Sequence, residues 1–288
     1  MATGKVVLVT GTSSGFGYLV SKLLASKGYT VYATMRNIEA KHSAPYKELS
    51  AIEGITVLEM ELTDNVSVNK TVDYVIEKEG KIDVLINNAG AFHLDLMESY
   101  TDTQLLEILN VDVVGPWRMI RASLPHFRKQ QDGLIITVAS SLGRFSCPFM
   151  SAYSTAKHGL EGLIEGLKYE VKGFGIDVAI IEPGIFPTQV FDSATPGEDQ
   201  SRASEYGPLA GIPTMVNGKV HELFASGQAA DPILVPEAML KLIETEKGKR
   251  PLRTVVDPAA GDITIRVNAI TDVESEKFLI ASGMGDLL

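Results

Sequence analysis

Tyr153 and Lys157 stand four residues apart in Ser151-Ala-Tyr153-Ser-Thr-Ala-Lys157, thirteen residues after Ser140. Four residues is about one helical turn, so on a helix the phenol and the ammonium share a face. An ammonium beside a phenol favours the phenolate. A tyrosine activated in this way can pass a proton to or from a carbonyl or an alcohol. The same spacing occurs on helices whose Tyr and Lys only pack or solvate, so the meaning of the pair depends on the elements that carry it.

Those elements alternate. Apolar, β-branched runs at Val6–Val9, Thr30–Thr34, Thr56–Glu59, Val84–Ile86, Leu134–Val138, Asp177–Ile181 and Thr254–Val256 read as strands. Helical patterns near Phe16–Lys27, Val66–Glu79, Asp102–Arg128, Ala152–Phe174 and Val235–Glu246 lie between them. Continuous apolar strands alternating with helices predict an α/β, doubly wound Rossmann fold: one domain, with a parallel seven-stranded sheet covered on both faces. Residues 1–257 are expected to form it. Residues 189–230 interrupt the alternation as a long insertion, and residues 258–288 form a C-terminal extension with no assigned structure.

The first strand runs into Thr10-Gly11-Thr12-Ser13-Ser14-Gly15-Phe16-Gly17, which opens the first helix. Glycines there allow a tight turn and a close approach to a pyrophosphate, which the helix N-terminus attracts. Glycines also make plain turns; the position at the first strand-to-helix junction is what favours a nucleotide. After the second strand, an acid would accept hydrogen bonds from the ribose hydroxyls of NAD. Met35 occupies that place and Arg36 follows. An arginine suits the 2′-phosphate of NADP instead, so NADP is the expected cofactor.

Taken together, these motifs resemble the short-chain dehydrogenase/reductase family over roughly residues 4–257. The Gly motif, Asn87-Asn88-Ala89-Gly90, the Ser140/Tyr153/Lys157 set and Pro183-Gly184-Ile185-Phe186-Pro187-Thr188 occur in the family's order and at its separations. Val31-Tyr-Ala-Thr-Met-Arg36 and Val113-Val-Gly-Pro-Trp-Arg-Met119 are most similar to the branch of retinol and 17β-hydroxysteroid dehydrogenases. The resemblance implies that Tyr153 is general acid in reduction and base in oxidation. It implies that Lys157 supports Tyr153 and holds the nicotinamide ribose, and that Ser140 orients the substrate carbonyl. It also implies cofactor contacts from Gly11, Ser13, Ser14, Gly15, Phe16, Gly17, Glu61, Leu62, Asn88, Gly90, Pro183, Gly184, Ile185 and Thr188. The helices around Gly159, Gly162 and Gly166 commonly build the family's dimer, which implies a homodimer or homotetramer.

Two positions depart from the family's pattern. Glu61-Leu62 stands where a shorter Asp-Val pair is usual near the adenine. Asp112 stands three residues before Gly115, where the family has an Asn that serves a proton relay to the lysine; Asn110 is two residues early. An ionised aspartate accepts hydrogen bonds but cannot donate one, and its charge offsets part of the field of Lys157. Relay through helix backbone and water would leave the reaction intact. Loss of the relay would leave a non-catalytic dinucleotide-binding sensor or scaffold, the alternative reading.

Composition sets the remaining limits. With 22% charged residues, 45% hydrophobic residues and a formal net charge of −10 over 288 residues, neither a nucleic-acid partner nor an anionic membrane surface is expected. No apolar run suggests a membrane span, and the opening residues lack a leader's layout. Cys147 is the single cysteine, which suits a reducing cytoplasm. His42, His93, His126, His158 and His221 show no metal-ligand spacing, so no metal is expected. Phe191, Tyr206, Leu209, Ile212, Met215, Val216, Leu223 and Phe224 make the insertion an apolar lid. A small hydrophobic ketone, aldehyde or alcohol is the substrate class this favours.

Overall fold

A computed structural model describes residues 4–288; Met1-Ala2-Thr3, on which part of the leader reading falls, lie outside the described residues. Seven parallel strands form one sheet in the order β3-β2-β1-β4-β5-β6-β7. They are β1 (Val6–Thr10), β2 (Thr30–Met35), β3 (Ile55–Glu59), β4 (Val84–Asn87), β5 (Gly133–Val138), β6 (Ile176–Pro183) and β7 (Arg253–Val256). The strand order reverses between β1 and β4. In an open α/β sheet that switch leaves a crevice outside the carboxyl ends of the strands, where ligands bind.

Period-two alternation explains the two layers. Val6, Leu8, Leu85, Ile135, Val178 and Ile180 point to one face, against Val72 and Val75 of α3 (Asn65–Glu79), Met119 and Phe127 of α5 (Gly115–Gln130), and Leu160 and Ile164 of α6 (Ser151–Val171). Val7, Val9, Val31, Ile86 and Ile136 point to the other. There they meet Val20 and Leu24 of α1 (Gly15–Ser26), Leu49 of α2 (Ser43–Ser50), and Met239 and Leu242 of α9 (Leu234–Glu244). Burying one Leu or Ile side chain is worth about 1.5–3 kcal/mol, so these two layers fix the sheet on which the loops sit.

The single helix expected over Asp102–Arg128 is instead interrupted. α4 (Asp102–Leu109) begins with a capping box, Thr101 accepting from Gln104 N while Gln104 accepts from Thr101 N. One π turn, Asn110–Val114, then widens the helix before α5. Such bulges concentrate at functional positions because they re-aim a side chain; this one turns Asp112 fully inward.

The insertion contains α7 (Gln200–Ser204) and α8 (Ile212–Ala225), and its first stretch is stapled to the body. Asp95 accepts from Gly197 N and Gln200 Nε2, both at 3.0 Å, and Gln104 Nε2 donates to the Pro196 carbonyl at 3.2 Å. The C-terminal extension is α10 (Gly261–Ala281), which packs beside β7. Among the described residues no helix is long and apolar enough to cross a membrane, and no cluster of three or more His, Cys, Asp or Glu side chains is arranged to hold a metal ion.

Candidate active site

The crevice is built around the glycine loop. Thr10, the last residue of β1, accepts on Oγ1 from the backbone N–H of Asn88 at 3.0 Å and of Ala89 at 3.1 Å. Asn88 Nδ2 donates to the carbonyls of Thr10 and Gly11 at 2.9 and 3.0 Å. The side chain of Asn88 therefore braces the loop. Gly11 has φ +69° and a Cβ there would lie 2.6 Å from Ala89 Cα; a Cβ at Gly17 would enter the Gly11 carbonyl. Gly15 has φ +55°, and a Cβ there would touch Thr188 Cβ at 3.5 Å without a clash. Ser14 caps α1 without a side-chain hydrogen bond, and no acid sits in the first turn. Those first-turn amides point into the crevice with no side-chain acceptor of their own, which fits the pyrophosphate of a dinucleotide. Ser13 and Phe16 complete this rim, and Phe16 is held edge-on against Phe186, 5.6 Å between centroids.

At the end beyond β2, Met35 is buried and Arg36 is 60% exposed on its side chain. Arg36 lies 3.8 Å from Glu61, a loose pair in solvent. Burial disfavours the Glu61 carboxylate, but hydrogen bonds from Thr63 N and Oγ1 at 3.1 and 2.8 Å, together with Arg36, hold its pKa below the usual value. Leu62 is buried against Gly115, where a Cβ would stand 2.7 Å from it. This packing carries α5 and the π turn up to the crevice.

The opposite end gathers the groups able to move a proton. Ser140 follows β5 and caps a short 3-10 turn, accepting from Leu142 N at 3.1 Å. That turn rests on α6: a Cβ on Gly143 would lie 3.1 Å from the Lys157 carbonyl oxygen. Lys157 Nζ sits 5.5 Å from the centre of the Tyr153 ring, as one helical turn requires. Gly90 marks where the charges converge, since a Cβ there would stand 2.9 Å from Asp112 Oδ1 and 3.2 Å from Lys157 Nζ. Lys157 is 5% exposed. Burial works against its ammonium, yet the charges of Asp112 and Tyr153 outweigh it and raise the pKa above the ordinary lysine value. Asp112 accepts from Ala91 N at 2.9 Å on Oδ1, while its buried Oδ2 has no protein donor. Asn110 is tied to Arg118 Nη2 at 2.7 Å, away from this cluster.

The model of the family described as short chain dehydrogenase matches residues 5–199. The chain belongs to that family. A 3-ketodihydrosphingosine reductase of Bacteroides thetaiotaomicron is 33% identical over 202 residues, 70% of this chain and 71% of the relative. The 17-beta-hydroxysteroid dehydrogenase type 1 of Mus musculus is 34% identical over 200 residues, 67% of this chain but only 57% of the mouse protein. A solved short-chain dehydrogenase from Streptomyces avermitilis superposes with a TM-score of 0.77 at 30% identity, covering 98% of this chain and 97% of that one. The protein is thus a short-chain dehydrogenase with the family's single-domain Rossmann architecture.

In this short-chain dehydrogenase the remaining sequence candidates lie at and just beyond the carboxyl end of β6. Pro183 ends β6 and Gly184 follows it, Ile185 is half exposed, and Thr188 stands across from Gly15. Sequence reasoning missed two neighbours. Phe92 packs edge-on against Tyr153 at 5.1 Å and continues through Phe191 at 4.9 Å to Phe224 at 5.3 Å. An aromatic wall therefore joins the tyrosine to α8. His93, 7% exposed, has no hydrogen bond of good geometry at either ring nitrogen. Burial and the nearby Lys157 charge lower its pKa, against Asp112 and the Thr195 backbone. A sequence offers only position for such residues: both follow Gly90 within three residues.

Proposed function

We propose that this protein is an NADP(H)-dependent oxidoreductase that interconverts a hydrophobic ketone or aldehyde and the corresponding alcohol. The observation that carries the reading is the meeting of Tyr153, buried Lys157 and the Ser140 turn at the carboxyl edge of β4 and β5, beside an uncapped glycine loop. The dinucleotide, once held by the loop from Gly11 to Gly17, would supply or take the hydride. Ser140 orients the carbonyl oxygen by hydrogen bonding. Tyr153 gives its proton to that oxygen in reduction and takes it back in oxidation. Lys157, kept protonated by Asp112, stabilises the phenolate left on Tyr153.

Arg36 supports the choice of NADP, because a loose, exposed pair with Glu61 leaves its guanidinium free to turn to a 2′-phosphate. The aromatic wall from Tyr153 to Phe224 supports an apolar substrate, with residues 189–230 as its lid. The names of the bacterial and mouse relatives fit the same class of lipid-like carbonyl. The single thiol is consistent with a cytoplasmic setting, and the open groove over Gly162 and Gly166 with a homo-oligomer. The test is a panel of hydrophobic ketones and aldehydes with NADPH and NADH, followed at the nicotinamide absorbance. Turnover with NADPH supports the reading. Tight dinucleotide binding without turnover of any member would leave the sensor alternative.

A further inference from the structure

Behind the reacting residues, side chains from five elements meet in a buried polar cluster. Arg144 follows the turn that Ser140 caps, and Glu161 lies on α6 one turn beyond Lys157. Glu182 directly precedes Pro183, Arg253 opens β7, and Asn268 comes from α10. Arg253 donates to Glu161 at 3.0 Å, to Glu165 at 2.7 Å and to Asp272 at 2.9 Å. Asn268, 6% exposed, closes the cluster: its Oδ1 accepts from Arg144 Nε at 2.7 Å and its Nδ2 donates to Glu182 Oε2 at 2.6 Å. Without it, Arg144 would meet the carboxylates only at 4.0 Å. Replacing such buried ions by apolar groups is often neutral or stabilising, so bulk stability does not explain the cluster. What short directional bonds do supply is a fixed register between the elements they join.

A second connection runs in parallel. Asp257, just after β7, accepts on Oδ1 from Ala259 N and Ala260 N at 3.1 and 3.0 Å, which starts α10. Its Oδ2 accepts from Ser141 Oγ at 3.5 Å, and its carboxyl group fills the space that a side chain at Gly184 would need. The same short stretch of chain thus touches the residue after Ser140 and the residue after Pro183.

We propose that α10 is a positioning element of the reaction: through Asn268 and Asp257 it holds the Ser140 turn, the Lys157 turn of α6 and the Pro183–Gly184 loop in one register. Asn268 is a positioning residue that acts through Arg144 and Glu182. Its kinetic consequence rests on the oxidoreductase reading; its structural consequence does not.

Asn268→Leu removes both hydrogen bonds at similar volume, and Asn268→Ser is the milder companion should the first fail to fold. Val75→Ala, a cavity in α3 far from the crevice, is the control for general destabilisation. At a temperature well below every Tm, the Asn268 variants should lose about ten- to a hundredfold in kcat with cofactor Kd little changed, as misplacement of reacting groups does. Amide exchange in cofactor-free protein gives the activity-independent arm. The protected amides of Gly143, Arg144 and Gly184 should exchange about tenfold faster in the Asn268 variants than in Val75→Ala. Exchange and kcat that match those of Val75→Ala at equal Tm loss would overturn the proposal. Faster exchange in an enzyme whose parent turns over no carbonyl would sustain it while removing the functional reading.

Discussion

At the scale of residues, three substitutions separate the proposed roles. Tyr153→Phe keeps the ring against Phe92 and removes the hydroxyl proposed to carry the proton. Turnover should fall by about 10²–10⁴-fold, the usual contribution of a general acid, with NADPH affinity retained in a fluorescence titration. Arg36→Ala should weaken NADPH binding about ten- to a hundredfold, the worth of a charge-assisted hydrogen bond, and leave NADH almost unaffected. An NADPH Kd that does not move would place Arg36 outside the phosphate site. Asp112→Asn tests the relay position. Burial alone lowers the Lys157 pKa, and Asp112, ahead of Tyr153, is the larger of the two charges that raise it. Removing that charge should move the basic limb of the kcat/KM profile to lower pH, by up to about one unit where the coupling reaches 1.4 kcal/mol. Activity at pH 7 should be kept, since an amide can donate as well as accept through a water at this position. Superimposable pH–rate profiles would show that the carboxylate does not reach the proton path.

At the scale of elements, what was legible followed from periodicity and from motifs that need a particular backbone. The strands read from apolar runs agree with the seven observed to within a residue or two, because sheet burial on both faces demands such runs. The glycine loop was legible because Gly11 and Gly17 have no room for a Cβ. The π turn was not, since one widened turn leaves the apolar pattern of α4 and α5 nearly continuous. α10 escaped for the opposite reason: its buried positions are Gly261, Thr264 and Asn268, so the buried stripe is polar. Ile265, Ile270 and Phe278 are exposed and mask the pattern further. In the glycine row on α6, a Cβ at Gly159 would touch Val113 at 3.6 Å, whereas a Cβ at Gly162 or Gly166 would meet nothing. These two glycines floor a groove of about 670 Å³ between α5 and α6, walled by Trp117, Leu124 and Leu163. If this groove is the contact of the proposed homo-oligomer, Gly166→Arg should leave the fold and Tm nearly unchanged and lower the assembly mass in light scattering. An unchanged assembly mass would place the subunit contact elsewhere.

At the scale of the whole molecule, the buried cluster beneath α10 makes stability depend on pH in a direction opposite to most carboxylates. Burial and the neighbouring Glu161 raise the Glu182 pKa from 4.5 to about 8, while Asn268, Arg253 and Arg144 oppose the rise. Glu161 is raised by burial as well, against Arg253 and Arg144. Oε1 of each glutamate is buried without a hydrogen-bond partner, so a proton on Glu182 relieves the repulsion between the two carboxylates. The folded state then binds more protons than the unfolded chain wherever Glu182 is protonated only when folded. Stability must fall with rising pH across that window. The contribution is complete below about pH 4.5 and is lost as pH rises through about 8. The charged groups facing Glu182 are Glu161, Arg144 and Arg253, with Glu165 and Asp272 beyond Arg253. Arginines stay charged throughout, so titration of the glutamate pair sets the slope. Glu182→Gln can donate to Glu161 and accept from Asn268 at every pH. Its Tm should match the parent near pH 4.5 and exceed it increasingly from there to about pH 8, by about 2–4 °C for each kcal/mol that the parent has lost. Parallel Tm curves for the two proteins from pH 4.5 to pH 9 would mean that folding does not raise the Glu182 pKa.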